Sequence, residues 1–292
     1  MTSSEKMKAT DKDIPEPIMK EVSSFPSMPR AAFKLRELLT KEDVPVDEIE
    51  KILRQDPGLA ANVLRLANSA FFGVPRKVET LKHAVMLLGV KRFAQIAVSA
   101  SMDKIMDKAI EGYNLSPGEL WLHSIAVANT AEALARNRKS AETDDVFTPS
   151  LLHDMGKLIL GPFIKEEQNN FERIRSTGVA LDAAEQMVLE TDHAEIGAML
   201  LAKWSFPENI VNAVRWHHDP EHNNDPTTKS DMTYLANLMC QSRENTESTD
   251  VKSVVPSTSV LDRFNITLEQ YKVIAEKAHG WMNKLSGSLP FD

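Results

Sequence analysis

One pattern recurs from Ile14 onward: short apolar stripes of helical period, each punctuated by a capping residue, a proline or a glycine. In PRAAFKLRELLTK, for example, Leu35 and Leu38 fall on one helical face. Asp56-Pro57 and Thr80 precede two further stripes, and both are N-cap signals. Strand-like alternation of apolar and polar residues is scarce throughout. The pattern therefore predicts an all-α protein of many short helices.

The composition is that of a globular protein, with 42% hydrophobic and 26% charged residues in a chain of 292. No apolar run approaches the roughly 18 residues that a membrane helix needs. The first residues, MTSSEKMKATDKD, lack the apolar core of a secretory signal. The single cysteine, Cys240, excludes an internal disulfide and is expected in the core. We expect a cytoplasmic protein with no membrane partner.

The positions of the capping residues, prolines, glycines and polar stretches divide the chain into four segments. Residues 1–13 are expected to be disordered, and residues 14–110 to form an N-terminal helical lobe. Residues 111–243 are expected to form a second helical lobe, and residues 244–292 a polar loop and a final amphipathic helix. That helix could pack on the body or on a second copy in a homodimer.

Charge is distributed unevenly between the two halves. Residues 1–110 carry 18 basic and 15 acidic residues, whereas residues 111–292 carry 16 and 27. The small positive excess of the first half argues against a nucleic-acid partner, which needs clustered cations. The acidic second half suits a cation-binding site.

The segment LLHDMGKLIL places His153 and Asp154 in an apolar context, which is costly unless the pair is satisfied or holds a cation. Taken alone, the dipeptide is most simply a surface turn. Lys157 lies three residues after Asp154, where it could orient the carboxylate, neutralise a phosphate, or simply face solvent.

Other histidines follow the same logic. Ser116 opens a capping box whose helix places Glu119 and His123 four residues apart on one face. In isolation they would be a satisfied core pair. Asp192, with Glu195 completing its box, should cap the helix that buries His193.

Gly197, one turn beyond His193, should allow another helix to approach. The helix that follows Pro207 ends in His217-His218, a tandem that is usually exposed at a helix end. His83 is interpreted as structural, His222 as exposed, and His279 as an ordinary residue of the last amphipathic helix.

Together these residues form a candidate ligand set on four successive helices. Imidazoles with carboxylates suit divalent transition metals, iron or manganese ahead of zinc. Seven ligands exceed the need of one tetrahedral zinc and suit a dinuclear centre in a helix bundle. The set is Glu119, His123, His153, Asp154, His193, His217 and His218.

The stretch DPGLAANVLRLANSAFFG, with its spacing to TLKHAVMLLGVKRF, resembles the first half of the HDOD domain. That bacterial signalling module is related to the HD superfamily of metal-dependent phosphohydrolases. The resemblance runs from about Phe25 to Cys240 and implies a two-lobed helical HDOD/HD-like bundle. Residues 111–243 would be the HD-like lobe.

The order of the histidines also resembles the HD ligand set. The resemblance implies a role for Lys157 in contacting substrate phosphate. It implies one metal position held by His123, His153, Asp154 and His217, and a second completed by Glu119, His193 and His218.

Two departures from the HD pattern bear on function. Where the superfamily has a last aspartate ligand, this chain has Asn237, a neutral and weaker ligand. The double histidine is followed by DPEHNND, without the Asp-Gly-x-Gly-Tyr-Pro loop of the cyclic-di-GMP-cleaving branch. That substrate is therefore not carried over.

Two functions remain open. The first is a regulatory signalling module with a retained metal site and weak or no catalysis, whose N-terminal lobe binds a signalling protein. The alternative is a metal-dependent phosphohydrolase acting on a nucleotide or other small phosphate ester. In that case Asp154 would hold the metal that activates water, and Lys157 would stabilise the phosphoryl oxygens.

Overall fold

A computed structural model describes residues 14–39, 45–69, 74, 77–136, 145–223, 228–241 and 256–286. Every regular element in those ranges is a helix, and an isolated bridge pairs Ile110 with Leu115. The all-α prediction is confirmed. The disorder expected for residues 1–13 concerns a segment outside the described residues. Among the helices described, none is long and apolar enough to cross a membrane.

The chain divides into two compact units. The larger comprises Met1–Pro26 and Ala109–His279, and the smaller comprises Ser27–Lys108 and Gly280–Asp292. The first helix, α1 (Glu16–Ser24), therefore belongs to the larger unit, although the segment that follows it in sequence belongs to the smaller one.

The smaller unit is arranged around one long helix. The helix α6 (Val90–Met106) packs against α2 (Arg30–Leu39), α4 (Pro57–Ala67) and α5 (Leu81–Leu88), and each of its residues from 93 to 102 is buried. Small and apolar residues on all sides make such a helix the core of its unit. The helices of this unit are α2 (Arg30–Leu39), α3 (Val46–Arg54), α4 (Pro57–Ala67), α5 (Leu81–Leu88) and α6 (Val90–Met106).

The caps expected in this unit are present. Oδ1 of Asp56 accepts the N–H of Leu59 at 3.0 Å. The Thr80 hydroxyl accepts the N–H of His83 at 3.1 Å. Gly89 separates α5 from α6 at φ +78°, a conformation that favours glycine.

The stretch GLAANVLRLANSAFFG predicts a helix that ends at Gly73, which lies outside the described residues, but α4 ends at Ala67. The Asn68 side chain exchanges hydrogen bonds of 2.7 Å with the backbone N–H and carbonyl of Val78. Asn68 is thus a polar helix terminus, the role that its position at the end of an apolar stripe predicts.

The larger unit carries every candidate ligand. In it α7 (Glu119–Arg136) packs against α8 (Phe147–Leu152) and α14 (Thr228–Gln241), and α12 (His193–Lys203) packs against α13 (Glu208–Arg215). After a 3-10 turn at Glu111–Tyr113, its helices are α7 (Glu119–Arg136), α8 (Phe147–Leu152), α9 (Lys157–Glu166), α10 (Gln168–Arg175), α11 (Leu181–Leu189), α12 (His193–Lys203), α13 (Glu208–Arg215), α14 (Thr228–Gln241), α15 (Thr258–Arg263) and α16 (Leu268–Ser286), whose last turns belong to the smaller unit.

Two glycines set the approach of α12 to the turn at residues 153–156. A Cβ on Gly156 would lie 2.0 Å from the carbonyl oxygen of His193 and 2.8 Å from the N of Gly197. A Cβ on Gly197 would lie 3.2 Å from Val214. The expectation that Gly197 permits close packing is confirmed, and Gly156 permits it more strictly.

Some helix ends differ from the expectation. The capping box at Ser116 predicts Pro117 as the first helical residue, but α7 starts at Glu119, because Gly118 has φ +80° and cannot continue a right-handed helix. The helix α8 ends at Leu152, so His153 and Asp154 lie in the following turn rather than within a helix.

The N-cap expected for α12 is present. Asp192 accepts the N–H of Glu195 at 2.8 Å. The Glu195 carboxylate also makes a bidentate pair with Arg215, at 2.9 Å for both contacts. That pair connects α12 to α13, the helix that precedes the double histidine.

Candidate metal centre

Asp154 lies at the middle of a histidine cluster. Its Oδ2 is 3.4 Å from Nε2 of His153 and 3.6 Å from Nε2 of His123. Its Oδ1 is 3.2 Å from Nε2 of His193 and 3.8 Å from Nε2 of His217. The two oxygens of one carboxylate therefore face two different pairs of imidazoles.

The candidate side chains form two groups. Within each group, the potential ligand atoms all lie within 4.8 Å of one another. The first group is His123, His153 and Asp154, and the second group is His193, His217 and His218. All are buried except His218, which is half-buried. A bridging carboxylate between two sets of imidazoles has the layout of a dinuclear centre.

Backbone carbonyls fix two of the rings. Nδ1 of His153 lies 2.8 Å from the carbonyl of Ser150, and Nδ1 of His217 lies 2.6 Å from the carbonyl of Val214. A carbonyl only accepts hydrogen bonds, so each Nδ1 carries the proton and each Nε2 presents a lone pair. This is how proteins orient metal-binding histidines.

Those lone pairs have no protein partner. Within the described ranges, Nε2 of His153, Nε2 of His217 and Oδ1 of Asp154 are buried without a hydrogen bond. A buried acceptor left unsatisfied costs about 1–3 kcal/mol. A divalent cation would satisfy all three atoms, so the residues present fit the metal that was expected.

Burial keeps most of the rings neutral. It lowers the pKa of His153 to about 4. Burial likewise lowers the pKa values of His217 and His218 well below their usual range, with neighbouring histidines adding to the effect. Neutral imidazole is the form that binds a metal, so these side chains need lose no proton near pH 7.

Lys157 makes the shortest contact to the central carboxylate. Its Nζ lies 2.8 Å from Oδ2 of Asp154, and both side chains are buried. Burial alone would raise the pKa of Asp154, but His153, Lys157 and His193 together hold it well below its usual value. Contact with the Asp154 carboxylate is one of the roles that the sequence left open for Lys157. The phosphate contact implied by the HD resemblance stays a prediction.

A buried carboxylate that the sequence reading did not single out lies behind the second group. Glu185 is inaccessible to solvent and accepts the backbone N–H of His193 at 2.8 Å. Nδ1 of the same ring lies 2.7 and 2.9 Å from its two oxygens. Burial opposes protonation of His193, yet the charge of Glu185 and the nearby carboxylate of Asp154 raise its pKa to about 10.

Tyr113 adjoins this pair. Burial and the negative charge of Glu185 raise the pKa of Tyr113 well above its usual value. The sequence contained an indication that Glu185 is unusual, because this charged residue lies among the apolar residues that α11 buries, such as Ala184 and Leu189. A carboxylate on an apolar face is the same anomaly that drew attention to His153 and Asp154.

Two other candidate ligands, Glu119 and Asn237, lie in different surroundings from each other. The Glu119 side chain is exposed, and its Oε2 accepts the N–H of Ser116 at 2.6 Å, so the structure does not bring it into either group. Asn237 is buried, and its Oδ1 lies 3.1 Å from Nε2 of His123. The amide thus points into the first group.

Residues expected to be structural stay outside the cluster. His222 is exposed and lies 2.6 Å from Asp219. Cys240 is fully buried, as expected for a core residue.

Comparison with known proteins places the chain in a family. The model of the HDOD domain matches residues 25–220. The chain belongs to the HDOD family. The match covers residues 27–108 of the smaller unit and the part of the larger unit that holds both histidine groups, whereas Asn237 lies beyond its end.

Solved structures show the same fold. An HDOD domain protein of unknown function from Geobacter sulfurreducens is 24% identical with a TM-score of 0.70, and the alignment covers 94% of this chain and 89% of that one. A protein of Shewanella amazonensis described as a candidate phosphohydrolase is 23% identical with a TM-score of 0.72, covering 94% and 98%.

A curated relative from Treponema pallidum, itself uncharacterized, is 23% identical over 207 residues, which is 70% of this chain. The HDOD chain spans 40% of that relative's length.

Proposed function

We propose that this HDOD protein is a cytosolic signalling module that carries a dinuclear HD-type metal centre and has weak or no hydrolytic activity. The observation that carries the metal centre is Asp154, whose two oxygens face two histidine groups. Buried Nε2 atoms of His153 and His217 without a hydrogen bond among the described residues add to it.

The bound metals would be held by both groups. His123 and His153 with Oδ2 of Asp154 would form the first position, with Asn237 Oδ1 as a neutral fourth ligand. His193, His217 and His218 with Oδ1 of Asp154 would form the second. Such metals supply Lewis acidity and lower the pKa of bound water.

Two features support a regulatory role over an efficient catalyst. An amide occupies the place beside His123 where a carboxylate would add negative charge. The ammonium of Lys157 binds Asp154 and is buried, so it is already engaged by the protein.

A protein partner for the smaller unit is part of the proposal. On α5, the side chains of Met86 and Leu87 are 69% and 40% exposed. Apolar side chains in such positions suit contact with another protein. The modest charge of this half does not suit nucleic acid.

Hydrolysis of a small phosphate ester is the second candidate, and Lys157 is the observation that favours it. Its ammonium lies beside the bridging carboxylate, where rearrangement of the pair would let it stabilise phosphoryl oxygens.

The deciding experiment measures metal content and hydrolysis on the same samples. The wild-type chain, His217→Ala and the control His222→Ala would be reconstituted anaerobically with Mn²⁺ or Fe²⁺ and analysed by mass spectrometry. Each would also be assayed on phosphate esters and nucleotides. We expect two metals per chain in wild type and control, fewer in His217→Ala, and little turnover.

Wild type that binds less than one metal would refute the centre. Fast turnover in wild type and control, absent from His217→Ala, would replace the regulatory proposal with the phosphohydrolase.

A further inference from the structure

The two histidine groups differ in what supports them from behind. In the first group, Nδ1 of His153 meets a neutral carbonyl, and Nδ1 of His123 is buried without a hydrogen bond among the described residues. In the second group, Nδ1 of His193 meets the carboxylate of Glu185. A charged acceptor behind one ring makes that ring a stronger donor than its neighbours.

The two histidine groups also differ in the negative charge that their own side chains supply. The second group contains three imidazoles and shares Asp154 with the first group and with Lys157. Among the described residues, the carboxylates that contact cluster histidines are Asp154 and Glu185. A divalent cation in the second position would have little negative charge among its direct ligands. The carboxylate of Glu185, on the far side of the His193 ring, would supply negative charge close to that cation.

The geometry of Glu185 is specific to orienting a ring. One carboxylate binds both the backbone N–H and Nδ1 of His193, so the side chain is fixed to its own main chain. The ring is thereby held with Nε2 toward Asp154 at 3.2 Å and toward Nε2 of His218 at 2.8 Å.

The burial of the Glu185 charge, which costs solvation free energy, also needs an explanation. A fully buried carboxylate loses several kcal/mol of solvation unless it is compensated. The hydrogen bond to the His193 backbone alone could be supplied by a neutral side chain. A carboxylate behind Nδ1 makes the ring a stronger donor at Nε2 than a neutral acceptor would.

We propose, building on the proposed metal centre, that Glu185 is the positioning residue of the second metal position. It accepts the Nδ1 proton of His193 and holds the ring in the orientation that presents Nε2 to the metal, and it strengthens that ligand. The first position does not depend on it. The two positions should therefore be separable by substitutions at a residue that touches neither metal.

The test uses the full-length chain and Mn²⁺ as the probe. Wild type, Glu185→Leu and Glu185→Gln would be compared with Glu166→Gln, which removes an exposed carboxylate at the end of α9. Bound manganese would be titrated by calorimetry, and its electron paramagnetic resonance spectrum would distinguish coupled pairs from single ions. Thermal unfolding without metal would report folding independently.

Wild type and Glu166→Gln should bind two ions with a coupled spectrum. Glu185→Leu should bind one ion with a single-ion spectrum. Glu185→Gln keeps an oxygen that can accept from Nδ1, so it should still bind two ions, the second about tenfold more weakly.

The outcomes separate the two proposals. Wild type that binds no manganese refutes the metal centre, and the role of Glu185 with it. Two ions bound equally well by wild type and Glu185→Leu refute the role of Glu185 alone, as does equal loss of both ions in Glu185→Leu. If Glu185→Leu does not fold, Glu185→Gln decides, and an unchanged second affinity overturns the inference.

Discussion

Oδ1 of Asn237 lies 3.1 Å from Nε2 of His123, so α14 delivers an amide to the first histidine group where the HD pattern has a carboxylate. The amide and a carboxylate have nearly the same shape but differ by one charge. A substitution at Asn237 can therefore test the first metal position directly.

Asn237→Asp should tighten metal binding at that position by about tenfold, because an anionic oxygen is a stronger ligand than a neutral one. Competition against a fluorescent chelator measures the change. The matched control is Asn209→Asp, which adds the same charge at an exposed position and should leave the affinity unchanged. Affinities that rise equally in both variants would mean that Asn237 is not a ligand.

Lys157 and a metal should compete for Asp154. Lys157→Met removes the ammonium that lies 2.8 Å from Oδ2, leaving a buried carboxylate with less compensation. Without metal, the variant should be about 3 kcal/mol less stable to urea, the cost of breaking a buried pair. Its metal affinity should rise, since Oδ2 is released. A fall in both stability and affinity would contradict this competition.

Gly156→Ala should be strongly destabilising. Its Cβ would lie 2.0 Å from the carbonyl of His193, so α12 would have to move away from the turn that carries Asp154. Overpacking of this kind costs about 3 kcal/mol, measurable by urea unfolding, and metal content should fall with it.

Gly280→Ala is its control. A Cβ there has no heavy atom within 4 Å, and alanine within α16 should stabilise the chain slightly. Equal destabilisation by both substitutions would argue against a specific role for the approach at Gly156.

Lys203 should anchor the first helix. Its Nζ donates to the carbonyls of Val22, Ser23 and Phe25 at 2.9, 2.6 and 2.9 Å, which are the free acceptors at the end of α1. Lys203→Met should cost about 1 kcal/mol and speed hydrogen exchange of the α1 amides.

Lys272→Met is its control, because it removes an exposed lysine from α16. Exchange in α1 that is unchanged by Lys203→Met would show that other contacts, such as Trp204 to the carbonyl of Pro26 at 3.1 Å, hold the helix by themselves.

Metal removal should lower the melting temperature of the wild type, because a ligand that binds only the folded state stabilises it. Differential scanning fluorimetry before and after chelation measures the shift. His217→Ala should show a smaller shift, and His222→Ala the full one. Identical shifts in all three would place the stabilising metal elsewhere.

Local signals in the sequence were sufficient for the helices and several of their ends. Asp56, Thr80 and Asp192 cap helices as expected, since capping depends on residues three apart. The candidate histidines also carried a local signal, a polar ring in an apolar stripe.

The tertiary structure decided which carboxylates join them. Glu119 shares a helical spacing with His123, yet at the first residue of α7 its side chain turns back to Ser116. Glu185 reaches His193 from the preceding helix, a contact that no short-range spacing encodes. Helical period fixes which side chains share a face, whereas packing between helices fixes what that face meets. The sequence alone therefore determined the helices and the candidate histidines, and the packing around Gly156 and Gly197 determined how they surround Asp154.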